Sequence, residues 1–275
     1  MTMPTDELIE LRGLRFHYRD WPSRMPGAPD LVLLHGFTGH ARSWDAFAAA
    51  MSDRYRVLAL DQRGHGESAW ADAYGNDEMV ADLQAFVKAM GLKGFTLLGL
   101  SMGGSVAMHY AGGRPPELGA LVMVDIGPEV VAAGATRIQS GVRTSDVFES
   151  REEAFARARA ANALPPEDHH RQRIDANLMR TEDGKWTWRY DRALRSDSRR
   201  VLRDPEAGWR ACANIAAPTL LIRGAQSDIL APEIAQRMVE TIPAARLVEV
   251  QKSGHSVPLD APDGFLSAAR SFLTG

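Results

Sequence analysis

A serine between two glycines is the clearest sign of chemistry in this sequence. Residues 99–103 read Gly-Leu-Ser-Met-Gly, and they stand between an apolar run at 95–98 and a helical run at 101–112. A serine on a sharp turn from strand to helix exposes its hydroxyl, and the flanking glycines let neighbouring backbone pass close by. The start of a helix also favours developing negative charge on that oxygen. This setting predicts that Ser101 is a nucleophile.

A histidine late in the chain is the candidate base for this serine. His255 stands in the turn Lys-Ser-Gly-His-Ser at 252–256, directly after the last predicted strand. Because imidazole has a near-neutral pKa, it can take a proton from Ser101 and return it to a leaving group. Of the eight histidines, only His255 follows a late strand in a glycine turn. We therefore predict His255 as the general base.

Two aspartates are candidates for the acid that orients the imidazole. Asp125 and Asp228 each lie just beyond the end of a predicted strand. Either carboxylate could hold the imidazole tautomer and stabilise the imidazolium. The chain order serine, aspartate, histidine is typical of this arrangement and favours Asp228, although Asp125 also follows Ser101. We predict Asp228 as the acid and keep Asp125 as the alternative.

A serine nucleophile also needs donors for the oxyanion that it creates. One predicted donor is the backbone N–H of Met102, immediately after the nucleophile. The other comes from the loop His-Gly-Phe-Thr-Gly at 35–39, which follows a predicted strand at 31–34. Gly36 permits the turn in this loop, and we predict the N–H of Phe37 as the second donor.

The elements that must position these groups alternate between strand and helix. Apolar runs predict strands at 31–34, 55–60, 95–98, 120–124, 218–223 and 246–250, after an opening hairpin at 8–11 and 14–18. Helical spacing lies between most of them, for example at 43–51 and 76–90. This alternation predicts an α/β fold with a mostly parallel sheet flanked by helices. The candidate polar residues fall at the carboxyl edge of the sheet, where open α/β sheets bind ligands.

The alternation is interrupted between residues 129 and 214. This stretch is rich in arginine, acidic residues and alanine, and its only β-like piece is Lys-Trp-Thr-Trp-Arg-Tyr at 185–190. We predict a core of residues 1–128 and 215–275, with a helical cap of residues 129–214 inserted after the sixth strand. The cap should wall the substrate pocket through Trp186, Trp188 and Tyr190, with His35 contributing from the core. Any arginine facing inward would select a carboxylate.

Composition narrows the possible partners. The 275-residue chain is long enough for one large domain with an insertion, and its net charge of -3 gives no reason to expect nucleic acid or an anionic membrane. Cys212 is the only cysteine, so no intramolecular disulfide is expected. No secretory signal is recognisable, and no apolar run approaches the roughly eighteen residues that span a bilayer. We expect a soluble cytoplasmic protein.

The expected ligand is a small-molecule acyl substrate, and no cofactor is implied. His169 and His170 stand in an arginine-rich helical segment without the spacing of a zinc site, so no metal is expected. The sequence leaves open whether the chain forms a homo-oligomer.

Five segments together resemble the α/β-hydrolase fold superfamily, in its serine-nucleophile branch with a helical cap. They are Leu-Leu-His-Gly-Phe at 33–37, Asp-Gln-Arg-Gly-His-Gly-Glu-Ser at 61–68, Gly-Leu-Ser-Met-Gly-Gly at 99–104, Arg-Gly-Ala-Gln-Ser-Asp at 223–228 and Gly-His at 254–255. The resemblance covers nearly the whole chain apart from the cap. It implies an eight-stranded sheet and a triad of Ser101, His255 and Asp228. It also implies that Arg63 and His65 are scaffold residues.

The resemblance points to a serine hydrolase that cleaves an ester, a lactone or a related small acyl substrate through an acyl-enzyme. Epoxide hydrolases and haloalkane dehalogenases of this superfamily carry aspartate, not serine, at this turn from strand to helix, so Ser101 argues against both. Carbon-carbon bond hydrolases of ring-cleavage or dicarboxylate products use serine, but typically have tryptophan after the histidine, where this chain has Ser256. A second alternative is a non-hydrolytic small-molecule receptor, or a cofactor-free lyase or oxygenase, on the same scaffold.

Overall fold

The computed structural model describes residues 3–143, 146–195 and 204–274, with the side chains of 141–143 left out. In this part of the chain the strands are β1 (Thr5–Leu11), β2 (Leu14–Trp21), β3 (Asp30–Leu34), β4 (Arg56–Leu60), β5 (Phe95–Leu100), β6 (Leu118–Val124), β7 (Val147–Phe148), β8 (Leu178–Arg180), β9 (Trp186–Trp188), β10 (Thr219–Gly224) and β11 (Ala245–Val250). Eight of these strands form one sheet in the order β1-β2-β4-β3-β5-β6-β10-β11. In this sheet β2 runs opposite to the other seven strands, so its pairings with β1 and β4 are antiparallel and the remaining pairings are parallel. The predicted mostly parallel eight-stranded sheet is confirmed.

Helices connect the strands of the sheet and build most of the inserted segment. They are α1 (Asp45–Met51), α2 (Asn76–Met90), α3 (Met102–Gly112), α4 (Ala132–Arg143), α5 (Arg151–Ala161), α6 (Glu167–Ala176), α7 (Pro205–Asn214), α8 (Pro232–Thr241), α9 (Val257–Asp260) and α10 (Pro262–Leu273). Short 3₁₀ turns at Ala41–Trp44 and Arg192–Arg195 complete them. Among the described residues, none of these helices combines the length and the apolar character that a membrane crossing requires.

Both faces of the sheet are covered, which explains why its central strands are continuous apolar runs. Successive residues of a strand point to opposite faces. On β3, Leu31 and Leu33 pack with the layer of α1 and α10, which includes Trp44 and Phe265. Val32 and Leu34 pack on the other side with α2, α3, α7 and α8. This double burial fixes the sheet as a rigid platform whose carboxyl edge carries the candidate site.

Between β6 and α7, the described residues of the inserted segment form three α-helices and a small sheet. Helices α4, α5 and α6 are accompanied by an antiparallel sheet of order β7-β9-β8. The predicted β-like piece at 185–190 contains β9, whereas β7 and β8, which are two and three residues long, were not predicted. The amide of Asn177 donates to the carbonyl of Thr38 at 2.9 Å, and the N–H of Gly66 donates to Arg189 at 2.9 Å. These bonds hold the insertion against loops at the carboxyl edge.

The last helix of the predicted cap belongs, by its packing, to the core. The sulfur of Cys212 on α7 lies 3.5 Å from the sulfur of Met108 on α3. A side chain at Gly112 would lie 2.7 Å from Ala211, so the two helices approach closely. Within 129–214, α7 therefore packs on α3, and the bounds of the cap stay a prediction.

Candidate active site

Ser101 occupies a strained turn between β5 and α3. Its φ of 52 and ψ of -113 lie in a region that side chains rarely adopt. A Cβ at Gly99 would stand 2.3 Å from the carbonyl oxygen of Gly103, and a Cβ at Gly103 would stand 2.6 Å from the carbonyl oxygen of Leu34. Only glycine fits at either position. The two glycines of the motif therefore allow the tight turn that presents the hydroxyl at the sheet edge.

The structure places the imidazole of His255 between a hydroxyl and a carboxylate. Nε2 of His255 lies 2.9 Å from Oγ of Ser101, and Nδ1 lies 2.8 Å from Oδ2 of Asp125. A carboxylate accepts only, so this network assigns the imidazole proton to Nδ1 and leaves Nε2 as the acceptor for the serine proton. The arrangement can activate Ser101 for attack on an electrophilic carbon.

Asp125 is fully buried, and its carboxylate is held from several directions. Oδ1 accepts from the N–H of Gly224 at 2.9 Å, and Oδ2 accepts from the hydroxyl of Ser227 at 2.5 Å as well as from His255. A buried charge requires such partners because desolvation is costly. The residue follows β6 with a φ of 51, a turn that directs its side chain toward the loop after β10. This network fixes the carboxylate in one position beside the imidazole.

Asp228 does not contact the imidazole, so the prediction that it orients His255 is wrong. Its two carboxylate oxygens accept from Nε and the terminal nitrogen of Arg137 on α4, at 2.6 and 2.8 Å. The hydrogen bonds to Arg137 are the main reason that the pKa of Asp228 is lowered. Strands β6 and β10 are neighbours, and Ser227, one residue earlier, is the member of this loop that reaches Asp125. The structure favours the alternative acid, Asp125.

The loop that carries Phe37 is rigidly held against the nucleophile. A Cβ at Gly36 would lie 3.3 Å from Cβ of Ser101. Nδ1 of His35 donates to the Gly36 carbonyl at 2.8 Å, and the amide of Gln62 donates to the His35 carbonyl at 2.7 Å. Burial lowers the pKa of His35 to about 4, so this imidazole is neutral. His35 and Gln62 thus position the loop, a role that the sequence analysis did not assign.

The two predicted oxyanion donors stay a prediction, with local geometry in their favour. Met102 is the first residue of α3, and the first N–H groups of a helix have no acceptor within it. Phe37 lines the chamber over Ser101. Met102 and Phe37 therefore both lie near the hydroxyl of Ser101, the predicted nucleophile.

A chamber of about 640 Å³ opens over Ser101 and His255, a size suited to small molecules. The core lines it with His35, Phe37, Trp44, Phe47, Leu100, Phe265 and Leu266, and the cap with Ile138, Ala161, Leu164, His169 and Arg173, among others. His35 was predicted to contribute to the pocket, and it does line the chamber. Apolar and aromatic side chains share its walls with charged ones, which among the described residues are Arg42, Arg137, Arg173, Asp45, Asp228, Asp260 and Asp263.

The predicted cap aromatics pack elsewhere and do not line this chamber. The guanidinium groups of Arg151 and Arg180 lie over the ring of Trp186, at 4.4 and 4.7 Å from the ring centre. Trp188 packs edge-on against Phe148 at 4.9 Å, inside the small core of the cap. The prediction that these two residues form pocket walls is wrong, because both rings pack against other side chains within the cap.

Tyr190 is likewise a packing residue. It is buried, with its ring 6.3 Å from the rings of both Phe37 and His65. It therefore packs against the loop that carries Phe37 and, contrary to prediction, does not line the chamber.

The segment 61–68 forms a buried scaffold beside the site. The carboxylate of Asp61 accepts from Nδ1 of His17 at 2.7 Å and from the N–H of Glu67 at 2.9 Å. Despite burial, these bonds hold the pKa of Asp61 at about 2. Arg63 binds the carboxylate of Asp82 at 2.5 and 2.7 Å. These contacts agree with the scaffold role inferred for this segment.

The sheet order, the serine elbow and the inserted cap together define an enzyme class, the α/β hydrolases. Comparison with known proteins places this chain in the same class. The model of the alpha/beta hydrolase family matches residues 31–268, and the chain belongs to this family. It is therefore an enzyme with hydrolase activity.

Several relatives match over nearly the full chain. The 3-hydroxybutyrate-oligomer hydrolase of Cupriavidus necator is 29% identical, over 98% of this chain and 96% of that protein. The sn-1-specific diacylglycerol lipase ABHD11 of Mus musculus is 30% identical, over 97% of this chain and 88% of that protein. A crystal structure of an alpha/beta hydrolase from Novosphingobium aromaticivorans superposes with a TM-score of 0.88 at 27% identity, covering 100% of this chain and 99% of that chain.

Proposed function

We propose that this protein is a serine hydrolase that cleaves an ester, a lactone or a related small acyl substrate through an acyl-enzyme on Ser101. The observation that carries the proposal is the hydrogen-bonded series Asp125, His255, Ser101, with separations of 2.8 and 2.9 Å. Two relatives support cleavage of ester bonds, since their names describe a hydrolase of hydroxybutyrate oligomers and a diacylglycerol lipase.

Acylation begins when Oγ of Ser101 attacks the acyl carbon and Nε2 of His255 takes the hydroxyl proton. The carbonyl oxygen becomes an oxyanion, which the N–H groups of Phe37 and Met102 stabilise. The tetrahedral intermediate collapses, the bond to the leaving oxygen breaks, and His255 returns the proton to that oxygen. An alcohol departs, or in a lactone stays tethered, and Ser101 carries the acyl group.

Deacylation repeats the steps with water. His255 removes a proton from water as the water oxygen attacks the acyl carbon, and it then gives the proton to Oγ of Ser101. A carboxylic acid leaves and the free serine is restored. Asp125 stays ionised throughout, keeps the imidazole in its orientation and stabilises the imidazolium. No reactant besides substrate and water is required.

Replacement of the nucleophile tests this proposal. Ser101→Ala should abolish hydrolysis of a short 4-nitrophenyl ester, with far-UV circular dichroism and the unfolding midpoint retained. Ser105→Ala is the matched control, because Ser105 lies one turn along α3 with its hydroxyl 3.3 Å from Asn76. Hydrolysis that persists in the Ser101 variant at the rate of the control would contradict the proposal.

A further inference from the structure

The chamber contains a cation whose charge is not neutralised by an ion pair. Among the described residues, the arginines that line it are Arg42, Arg137 and Arg173. Arg42 pairs with Glu67 at 3.2 Å, and Arg137 is held by both carboxylate oxygens of Asp228. The side chain of Arg173 makes neither a hydrogen bond nor an ion pair with any residue in the described ranges. Its five N–H donors are therefore available to a ligand.

Arg173 stands on α6 and lines the same chamber as Ser101 and His255. Its positive charge adds to burial in lowering the pKa of His35, which begins the Phe37 loop. It also counteracts the rise that burial causes in the pKa of Asp260, five residues after His255. His35 and Asp260 line the chamber together with Ser101 and Arg173, so the charge of the guanidinium acts inside the chamber that holds the hydroxyl.

Asp260 does not neutralise this guanidinium by direct contact. Its carboxylate accepts from the amide of Asn162 at 2.8 Å and from the N–H of Gly254 at 2.9 Å. These two hydrogen bonds direct the carboxylate of Asp260 toward Asn162 and toward the loop that carries His255. The attraction to Arg173 acts at longer range, which helps to hold the guanidinium in the chamber without occupying its donors.

Partial burial makes an ionic ligand favourable at Arg173. Burial lowers the pKa of this guanidinium, but an arginine stays protonated at neutral pH. A desolvated cation without a paired anion is unfavourable, and an arriving carboxylate relieves this cost while accepting two parallel hydrogen bonds.

We propose that Arg173 binds a carboxylate carried by the substrate. The preferred substrates would then be short compounds with a free carboxylate at one end and a cleavable acyl bond at the other, such as half-esters of dicarboxylic acids. This inference rests on the proposed role of Ser101 as nucleophile, because the acyl bond must reach that hydroxyl while the carboxylate is held. Arg173 is a specificity residue and takes no part in the proton transfers.

Two matched esters test the charge preference. Mono-4-nitrophenyl glutarate and methyl 4-nitrophenyl glutarate share a leaving group and a carbon chain, and they differ in whether the far carboxyl is charged. The wild-type enzyme should show a kcat/KM at least about tenfold higher for the acid than for the methyl ester. In Arg173→Gln the ratio of the two kcat/KM values should fall by about tenfold or more, mostly through KM of the acid.

Two further variants separate charge from structure. Arg173→Lys retains the cation without the planar fork and should keep part of the preference. Arg171→Gln is the matched control on the same helix, because Arg171 is exposed, stacks on Phe155 at 4.0 Å and does not line the chamber. It should leave the ratio unchanged. A wild-type ratio near one, or an equal loss for both esters in Arg173→Gln, would overturn the proposal.

Binding of glutarate separates failure of this proposal from failure of the proposed function. Calorimetry on Ser101→Ala protein should detect glutarate, and adding Arg173→Gln should weaken its binding by about tenfold or more. If neither ester is hydrolysed but glutarate binds through Arg173, the hydrolase proposal fails and the carboxylate site stands. If the esters are hydrolysed without a charge preference and glutarate does not bind, the carboxylate site is overturned and the hydrolase stands.

Discussion

Oδ2 of Asp125 lies 2.8 Å from Nδ1 of His255, although Asp125 follows β6 and precedes the whole cap. The proposed nucleophile, Ser101, and the proposed acid thus come from the ends of the adjacent strands β5 and β6, respectively. The loop after β10 contributes the hydroxyl of Ser227 to the carboxylate. The carboxylate that contacts His255 therefore precedes the cap in the sequence. Asp228 instead forms an ion pair with Arg137 on α4.

Replacement of each aspartate by asparagine should separate their roles. Asp125→Asn removes the acceptor that fixes the proton on Nδ1 of His255, and we expect kcat to fall by about 10⁴. Asp228→Asn removes an ion pair whose two side chains are 54% and 43% exposed, and such pairs contribute little. We expect its kcat to change by less than about tenfold. Steady-state hydrolysis of a 4-nitrophenyl ester measures both, and the reverse ranking would contradict the geometry.

The sequence predicts much of this architecture because its signals are local. The run Leu31 to Leu34 is apolar because both faces of β3 are covered. The glycines that flank Ser101 are required because a Cβ there would meet the backbone of the same turn or the end of the neighbouring strand β3. Such features leave a pattern in a single sequence. The mostly parallel sheet and the place of Ser101 at a turn from strand to helix follow from them.

The acid could not be chosen from the sequence because β6 and β10 end side by side at the same edge. Chain order does not distinguish Asp125 from Asp228, since both follow Ser101 and precede His255. The deciding contacts are the N–H of Gly224 and the hydroxyl of Ser227, roughly a hundred residues from Asp125. Only the folded sheet brings these groups together.

The cap aromatics were misassigned for a related reason. The arginines that lie over the ring of Trp186 come from α5 and β8, two elements that both precede it along the chain. Strands of two or three residues, such as β7 and β8, carry too few side chains to show a period. The sequence therefore shows aromatic residues in the cap but not which way the small sheet turns them.

Gly103→Ala should disturb both stability and catalysis. The added Cβ would meet the carbonyl oxygens of Leu34 and His35 at 2.6 Å, and backbone atoms have little room to move. We expect a loss of about 2 kcal/mol or more in the free energy of unfolding, measured by urea titration, and a lower kcat because the Phe37 loop shifts.

Gly264→Ala is the control for this prediction. On α10 the new Cβ would lie 4.0 Å from Cβ of Ala261 and 2.9 Å from Cγ1 of the Val250 side chain. That side chain can rotate, and alanine is a better helix former, so the change should stay within about 1 kcal/mol. Equal costs at the two positions would show that the elbow is less tightly packed than the contacts indicate.

Stability should fall steeply as the solution is acidified below pH 6.5. Burial lowers the pKa of His35, His40 and His170 to about 4 and that of His65 to about 3. Between these values and 6.5 the unfolded chain binds protons that the folded protein does not, so acid favours unfolding. Burial raises the pKa of Asp45 to about 7, which offsets about one of these four protons. A slope of up to about 4 kcal/mol per pH unit is expected from the remainder.

His65→Asn should reduce this slope by about 1.4 kcal/mol per pH unit, the contribution of one proton. An asparagine amide can replace the donor that Nδ1 provides to the Arg63 carbonyl at 2.9 Å. Urea titrations at several values between pH 7 and pH 4.5 measure the slope for both proteins. A wild-type stability that is flat across this interval would contradict the account of buried neutral imidazoles.

The most direct measurement is covalent labelling of the hydroxyl itself by a fluorophosphonate, followed by intact mass and peptide mapping. The account predicts rapid addition of one phosphonyl group at Ser101, slowed strongly in His255→Ala and in Asp125→Asn and unaffected in Asp228→Asn. A folded wild-type protein that stays unlabelled while binding small acids would contradict nucleophilic catalysis and point to a receptor on the same scaffold.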